Sequence, residues 1–218
     1  MGVLKTLTDE YFGDSIRKED KIPIGDLDVE IVKFKDNNGV EHKHGYRVKN
    51  GDPDDMLETL KKLIERIIEK RGNECSLNDI DVSNQKHMEI YYSIKRRALF
   101  KDSTFDGDIS GWDVSNVERM SSMFYNSRFT GKNGIFKLEK GNKVENMGMM
   151  FYYSDFNGNI SGWDVSNVKS MSCMFSDSKF NGDINNWVVN KNCDIHCMFN
   201  NTQLKKNNKL PKWYLDRQ

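Results

Sequence analysis

The sequence predicts an α+β protein: a small N-terminal α+β domain or cap, followed by a short solenoid of repeats about 24 residues long. Three observations carry this. A pattern of Phe, Gly, Trp, Val and Met recurs at a near-fixed step through the second half of the chain. A pair of alternating segments that suit a β-hairpin lies well ahead of it. A capped amphipathic helix stands between the two.

At the N-terminus, Val3, Leu4, Leu7, Tyr11 and Phe12 predict a short amphipathic helix. Residues 27–34 alternate as a strand with one buried face. Asp36-Asn37-Asn38-Gly39 is a turn signal, and residues 40–48 return as the second strand. Asp52 can cap the helix that follows, Pro53 suits its first position, and Asp54 and Asp55 complement its dipole. Met56, Leu57, Leu60, Leu63, Ile64, Ile67 and Ile68 form one apolar stripe, and Gly72 stands where the helix should stop. Residues 1–75 therefore read as a small α+β domain or a thick cap.

The repeats occupy residues 76–204. One copy runs Phe105, Gly107, Trp112, Val114, Val117, Met120, Met123, Phe124; another runs Phe156, Gly158, Trp163, Val165, Val168, Met171, Met174, Phe175. A third runs from Phe180 through Trp187, Val189, Ile195 and Met198 to Phe199. A degenerate copy holds Phe129, Gly131, Phe136, Leu138, Val144, Met147, Met150 and Phe151. Phe105 to Phe129 and Phe156 to Phe180 are steps of 24 residues, and the degenerate copy spans 27. Residues 79–84 repeat the Trp-Asp-Val-Ser-Asn motif with Ile80 in the tryptophan slot. Met88 then matches Met120, an interruption over 89–97 reads as an extended helix, and Leu99-Phe100 resume the Met-Phe slots. Within a repeat, apolar spacing of three predicts a short strand at Trp-Asp-Val, a bend, and a helical or 3₁₀ turn at Met-x-x-Met-Phe. Gly107, Gly131, Gly158 and Gly182 form a column that suits positive φ or close backbone approach. Layers should be spaced by about 4.8 Å. Residues 205–218, with Trp213, Tyr214 and Leu215, form a tail that can fold back as a C-terminal plug.

Lys plus Arg equals Asp plus Glu at 33 each, which argues against a polyanion partner bound through bulk charge, nucleic acid included. Basic clusters at Lys95, Arg96, Arg97 and Lys101, and at Lys205, Lys206, Lys209 and Lys212, read as a solvated helix face and a soluble end. No apolar run spans a bilayer and no secretory h-region opens the chain, so the expected location is cytoplasmic, of the producing or host cell, with a mature fragment of something exported as the alternative; no membrane partner is expected. The first six residues fit the short myristoylation pattern, which is common by chance.

Residues 112–124 and 163–175 carry Trp-Asp-Val-Ser-Asn-Val-x-x-Met-Ser-x-Met-Phe. This consensus resembles the BspA-type leucine-rich-like repeats of bacterial surface proteins, mycoplasma lipoproteins and some viral proteins. The copy over 187–199 departs at Val188 and Asn192, and the copy opened by Phe129 keeps only the apolar frame. The resemblance covers roughly residues 76–204. It implies a leucine-rich-repeat-like solenoid used for adhesion or protein binding, with no catalytic residues to carry over.

Chemistry-bearing residues are few. Cys173, Cys193, Cys197 and His196 could surround a zinc ion, but the Cys-x-x-x-Cys spacing is not a finger or ribbon. Cys173 and Cys197 share a repeat slot with Ser122 and Met149, so free buried thiols and no metal are expected. Asp106, Asp108, Asp113, Asp164 and Asp183 read as turn caps rather than a calcium ladder. The methionines read as core. His42 and His44 read as part of a solvated hairpin loop. No P-loop, nucleophile elbow or HExxH motif is present, so neither an enzyme nor a cofactor is expected. The expected function is a protein-binding module, in a narrower form a small soluble inhibitor or adaptor of phage type that docks on a host protein. The alternatives are a surface or virion structural protein, and an enzyme with its site in residues 1–75. The residues predicted to carry binding are Tyr125, Arg128, Tyr152 and Tyr153, because they vary between copies while the repeated frame is committed to the core. The inserted loop 139–143 belongs to the same degenerate copy.

Overall fold

The computed structural model describes residues 22, 24–90 and 97–217. The predicted helix over 3–12, the myristoylation pattern and the side chains of Lys95, Arg96 and Arg97 lie outside the described residues or side chains. The chain is a mixed α/β protein with a small three-stranded sheet and few helices.

Strands β1 (Val29–Lys35) and β2 (Glu41–Val48) pair antiparallel, as their alternation predicts. A register shift between Val32 and Phe34 breaks the alternation: Val32 faces Gly45, but Phe34 faces His42. Helix α1 (Pro53–Arg71) starts where Asp52 accepts the Asp54 N–H at 2.9 Å. It stops at Gly72, whose φ of 89° suits only a residue without a Cβ. Its stripe from Met56 to Ile67 is buried, with Ile68 half-buried at the margin. Strand β2 then pairs in parallel with β3 (Ile80–Asp81), the atypical first copy of the repeat. One hydrophobic cluster runs from Ile22 through α1 and all the copies to Tyr214.

Successive copies lie one on the next. Parallel bridges join His87 to Arg119, Arg119 to Asn146, Asn146 to Ser170, and Ser170 to Asp194. The amides of Met120, Ser122, Phe124 and Asn126 donate to the carbonyls of Asn146, Gly148, Met150 and Tyr152 at 2.8–3.0 Å. Met147, Met149, Phe151 and Tyr153 donate in the same way to Ser170, Ser172, Met174 and Ser176, and Met171, Cys173, Phe175 and Asp177 to Asp194, His196, Met198 and Asn200. Behind this ladder stand two columns of stacked rings. Phe100, Phe124, Phe151, Phe175 and Phe199 are spaced by 5.2–5.8 Å. Phe105, Phe129, Phe156 and Phe180 are spaced by 6.1 Å. Both spacings exceed 4.8 Å because the rings are offset rather than face to face. The indole N–H groups of Trp163 and Trp187 each donate to a carbonyl 27 residues back, Phe136 and Ile160, at 3.1 Å.

Three local expectations are corrected. No strand forms at Trp-Asp-Val, because Asp113 and Asp164 accept from the amides of Ser115 and Ser166 at 3.0 Å and bend the chain into turns. The Met-x-x-Met-Phe arc is neither helical nor 3₁₀: Ser122, Met149, Cys173 and Cys197 all take positive φ of 52–57°. The described ends of the interruption are strands rather than helix: β4 (Glu89–Ile90) and β5 (Arg97–Ala98) pair antiparallel, Glu89 meets Arg119 at 3.1 Å, and residues 91–96 lie outside the described residues. In the glycine column only Gly131 has positive φ. The common cause is close approach, since a Cβ at Gly131 would meet the Gly158 Cα at 3.1 Å.

The tail closes the last copy. Thr202 caps α2 (Gln203–Lys206), whose Leu204 is buried. In α3 (Lys212–Leu215), Trp213 stacks on Trp187 at 6.3 Å and Tyr214 packs edge-on against Phe199 at 4.9 Å. Leu215, expected in the plug, is exposed.

Trp163 is 6% exposed and pinned by its indole bond to the copy beneath. Trp163→Ala should destabilise the chain by about 3–5 kcal/mol. Trp163→Phe, which keeps the ring and loses one buried hydrogen bond, should cost less. Thermal melts of the two variants read both numbers; a Trp163→Ala variant as stable as the parent would contradict the packing described.

Candidate functional site

The four predicted binding residues fall on one face, at the edge of the ladder. Phe124 and Phe151 turn inward, so the residues after them turn outward. Tyr125 and Tyr152 occupy equivalent slots in adjacent copies and stack at 5.3 Å with their planes 17° apart. Tyr153 stands edge-on to Tyr152 at 4.8 Å and is 55% exposed. Tyr125 and Tyr152 are half-buried against each other, so Tyr153 is the most exposed ring of the three.

Tyr153 sits in an unusual backbone slot. Its φ is +55°, and the same slot in the other copies holds Asp102, Asn126, Asp177 and Asn201, at φ of 51–59°. Asn and Asp tolerate the left-handed conformation, whereas a bulky aromatic side chain clashes with its own backbone there. Side-chain hydrogen bonds join Asn126 to Asp102 at 2.9 Å and Asn201 to Asp177 at 2.7 Å. Tyr153 interrupts this polar column with a large, exposed ring.

The tyrosines form a ridge between two shallow depressions. One, of about 310 Å³, is lined by Lys101, Ser122, Tyr125, Met149, Tyr152 and Cys173. The other, of about 340 Å³, is lined by Asp102, Ser103, Thr104, Asn126, Ser127, Arg128, Tyr153 and Asp155. Its position in a basic cluster predicts a solvated helix face for Lys101. It lies instead with its ammonium 5.2 Å from the centre of the Tyr125 ring, a contact that spacing along the chain does not reveal. Arg128 is exposed yet anchored, with Nη1 3.2 Å from the Asp155 carboxylate, which also holds Lys179 at 2.9 Å. Burial pushes the Asp155 carboxyl up, but its bonds to Lys179 and Arg128 hold it below the usual value. The loop 139–143 does not join this face. Asn142 is bonded to Asp164 and Asn167, and Lys143 to Asn116, all in the Trp-Asp-Val-Ser-Asn arc.

The other candidates resolve into structural roles. Asp113, Asp164 and Asp183 cap turns, Asp108 accepts from the Ser110 amide, and Asp106 binds the backbone and hydroxyl of Thr130 in the next copy. Cys193 is buried where Val117 and Val168 stand in other copies. Its amide bonds to the Asn190 carbonyl as Val168 bonds to Val165, so it fills the place that Asn192 leaves. Burial pushes its thiol up to about 11. Among the described residues no group of three or more His, Cys, Asp or Glu is arranged to hold a metal ion.

His42 is not in a solvated loop. It lies in β2, stacks on Phe34 at 4.8 Å, and its Nε2 is 2.9 Å from the buried Asp36 carboxylate. Strand alternation does not reveal this carboxylate six residues upstream, because the register shift hides the pairing. The hairpin turn docks on the second copy: the amides of Asn37 reach the carbonyls of Gly111 and Trp112. A Cβ at Gly111 would meet the Asp36 carboxylate at 2.6 Å.

Burial pushes the Asp36 carboxyl up, but bonds from His42 and from the amides of Val40 and Asn38 bring it below its ordinary value of 3.8. A carboxyl lowered on folding contributes stability above its unfolded value, and that stability is lost as pH falls through the folded one. The stability difference between the parent and Asp36→Asn should therefore be greatest near neutrality and shrink below about pH 4. Urea melts across this range check it; a difference independent of pH would contradict the assignment.

A family model described as "Mycoplasma protein of unknown function, DUF285" matches residues 69–152 and again residues 129–217. No curated protein and no solved structure matches the chain. No helix among the described residues is long and apolar enough to cross a membrane.

Proposed function

The chain belongs to the DUF285 family, and from that premise we propose that it is a protein-binding module: a solenoid whose stacked repeats hold the Tyr125, Tyr152 and Tyr153 ridge rigid for docking on another protein. The observation that carries this reading is Tyr153 itself. A left-handed slot filled by Asp or Asn in four other places carries an exposed tyrosine in the copy where two more tyrosines stack beside it. Backbone strain of this kind concentrates at sites of function, where it is tolerated for what the side chain does. Tyrosine supplies a large amphipathic contact at low entropy cost and dominates interface energetics together with Arg and Trp. Lys101, Arg128 and the two depressions provide a polar rim around an aromatic centre. The narrower role of inhibitor or adaptor, acting on a host protein inside a cell, depends on the identity of that partner.

Tyr153→Asn separates binding from stability. Asn suits the left-handed slot, so the melt should stay level or rise slightly, while partner affinity should fall by about 1 kcal/mol or more, roughly fivefold. Affinity capture from the native host with the parent, Tyr153→Asn, Tyr125→Ala and Tyr152→Ala, followed by titration of the purified pair, reads this. If all three variants bind normally while changes in residues 1–75 abolish binding, the site lies at the N-terminal end instead.

A further inference from the structure

We propose that Cys173 and Cys197 are a paired dithiol that closes to an intrachain disulfide by exchange with a small-molecule disulfide. The two cysteines occupy one repeat slot in adjacent copies. Their backbones share one conformation, with φ of 52° and 54°, so their Cα–Cβ bonds leave the ladder in the same direction. The rung between them is fixed by the Cys173 amide, which donates to the His196 carbonyl at 2.8 Å. The bonds Met171 to Asp194 at 2.7 Å and Phe175 to Met198 at 3.0 Å bracket it on either side. Neighbouring rungs of such a ladder lie about 4.8 Å apart, inside the range of roughly 4.4–6.8 Å over which a disulfide joins two Cα atoms.

Their surroundings single this pair out. Both residues are half-buried rather than buried as their repeat slot predicts, and Cys173 lines the depression beside Tyr152, so a reagent in solution reaches it. Cys193 is buried in the core column, and Cys75 stands just ahead of the first copy, its carbonyl accepting the Asp108 amide, far along the stack from the last two copies. The slot below Cys173 holds Met149 and then Ser122, so the dithiol stands only between the last two copies that the tail closes. Burial and the adjacent Cys197 thiol raise the Cys173 thiol above its ordinary value, which makes the exchange slow at neutral pH and faster as pH rises.

The step balances. A thiolate of the pair attacks one sulfur of the reagent disulfide, forming a mixed disulfide and releasing one thiol. The second cysteine, deprotonated, attacks the protein-side sulfur and releases the other half of the reagent as a second thiol. Two protein thiols are oxidised to one disulfide, and one small-molecule disulfide is reduced to two thiols.

The test uses the full chain at about pH 8 with excess glutathione disulfide, then N-ethylmaleimide to block remaining thiols. Asp-N digestion without reductant cuts ahead of Asp194 and so separates Cys193 from Cys197. The expected result is a peptide linked through Cys173 and Cys197, with Cys193 in no bridge and carrying no glutathione, and a Cys197→Ser variant that carries a glutathione adduct on Cys173 and no link. Separate adducts on the two cysteines of the parent, a bridge between chains, a bridge that includes Cys75 or Cys193, or two thiols still open to the maleimide would each overturn the pairing. The readout is bond formation alone, so it stands or falls independently of partner binding.

Discussion

The structure depends on one constraint: in the Met-x-x-Met-Phe arc, every second amide finds its acceptor on the next copy rather than on its own. Each such peptide points its carbonyl toward the earlier copy and its N–H toward the later one, in four columns. A chain can hold this orientation only by turning between the rungs. The turns are made by residues such as Ser122, Met149 and Cys173 in left-handed conformations, each at a cost of roughly 1–2 kcal/mol. The inter-copy bonds offset that cost, because an amide left unpaired inside this arc would lose a comparable amount. No copy meets its own hydrogen-bonding needs, so the copies require one another.

The side chains enforce the same dependence. Phe rings stack only if successive copies keep register, and the Trp indoles reach carbonyls of the copy beneath. The tail uses the same device, since Trp213 donates to Ile184 at 2.9 Å just as Trp187 donates to Ile160. Where the pattern slips, another residue repairs it: Cys193 fills the core position from which Asn192 has moved out, and Arg217 binds the Cys193 carbonyl at 2.7 Å.

What was legible in the sequence was whatever the core selects. Phe, Trp, Met and Gly recur because packing permits little else, and α1 could be bounded from Asp52, Pro53 and Gly72 because caps obey local rules. The backbone path within a copy was not legible. Its left-handed positions carry Ser, Met and Cys in one slot, none of which signals positive φ. Lys101 over Tyr125, Asp155 under Arg128 and Asp36 beside His42 also escaped, since each contact is set by the ladder or by a register shift. Tyr125, Arg128, Tyr152 and Tyr153 were found because they vary where the frame repeats. The strain at Tyr153 became visible only once its slot was seen to be left-handed.

The candidate face takes its rigidity from this ladder: Tyr153 donates its own amide to Ser176, and Tyr152 accepts from Asn126, so the ridge is held by rungs on both sides. Amide hydrogen exchange in the folded chain reads the rungs one by one. The amides of Ser122, Met149 and Cys173 are bonded to the next copy and should exchange only with global unfolding. The equivalent amide of Cys197 and that of Asn201, in the last copy, have no acceptor among the described residues and should exchange many-fold faster. Exchange at Ser122, Met149 and Cys173 as fast as at Asn201 would mean that the copies are not joined by the bonds on which everything else here rests.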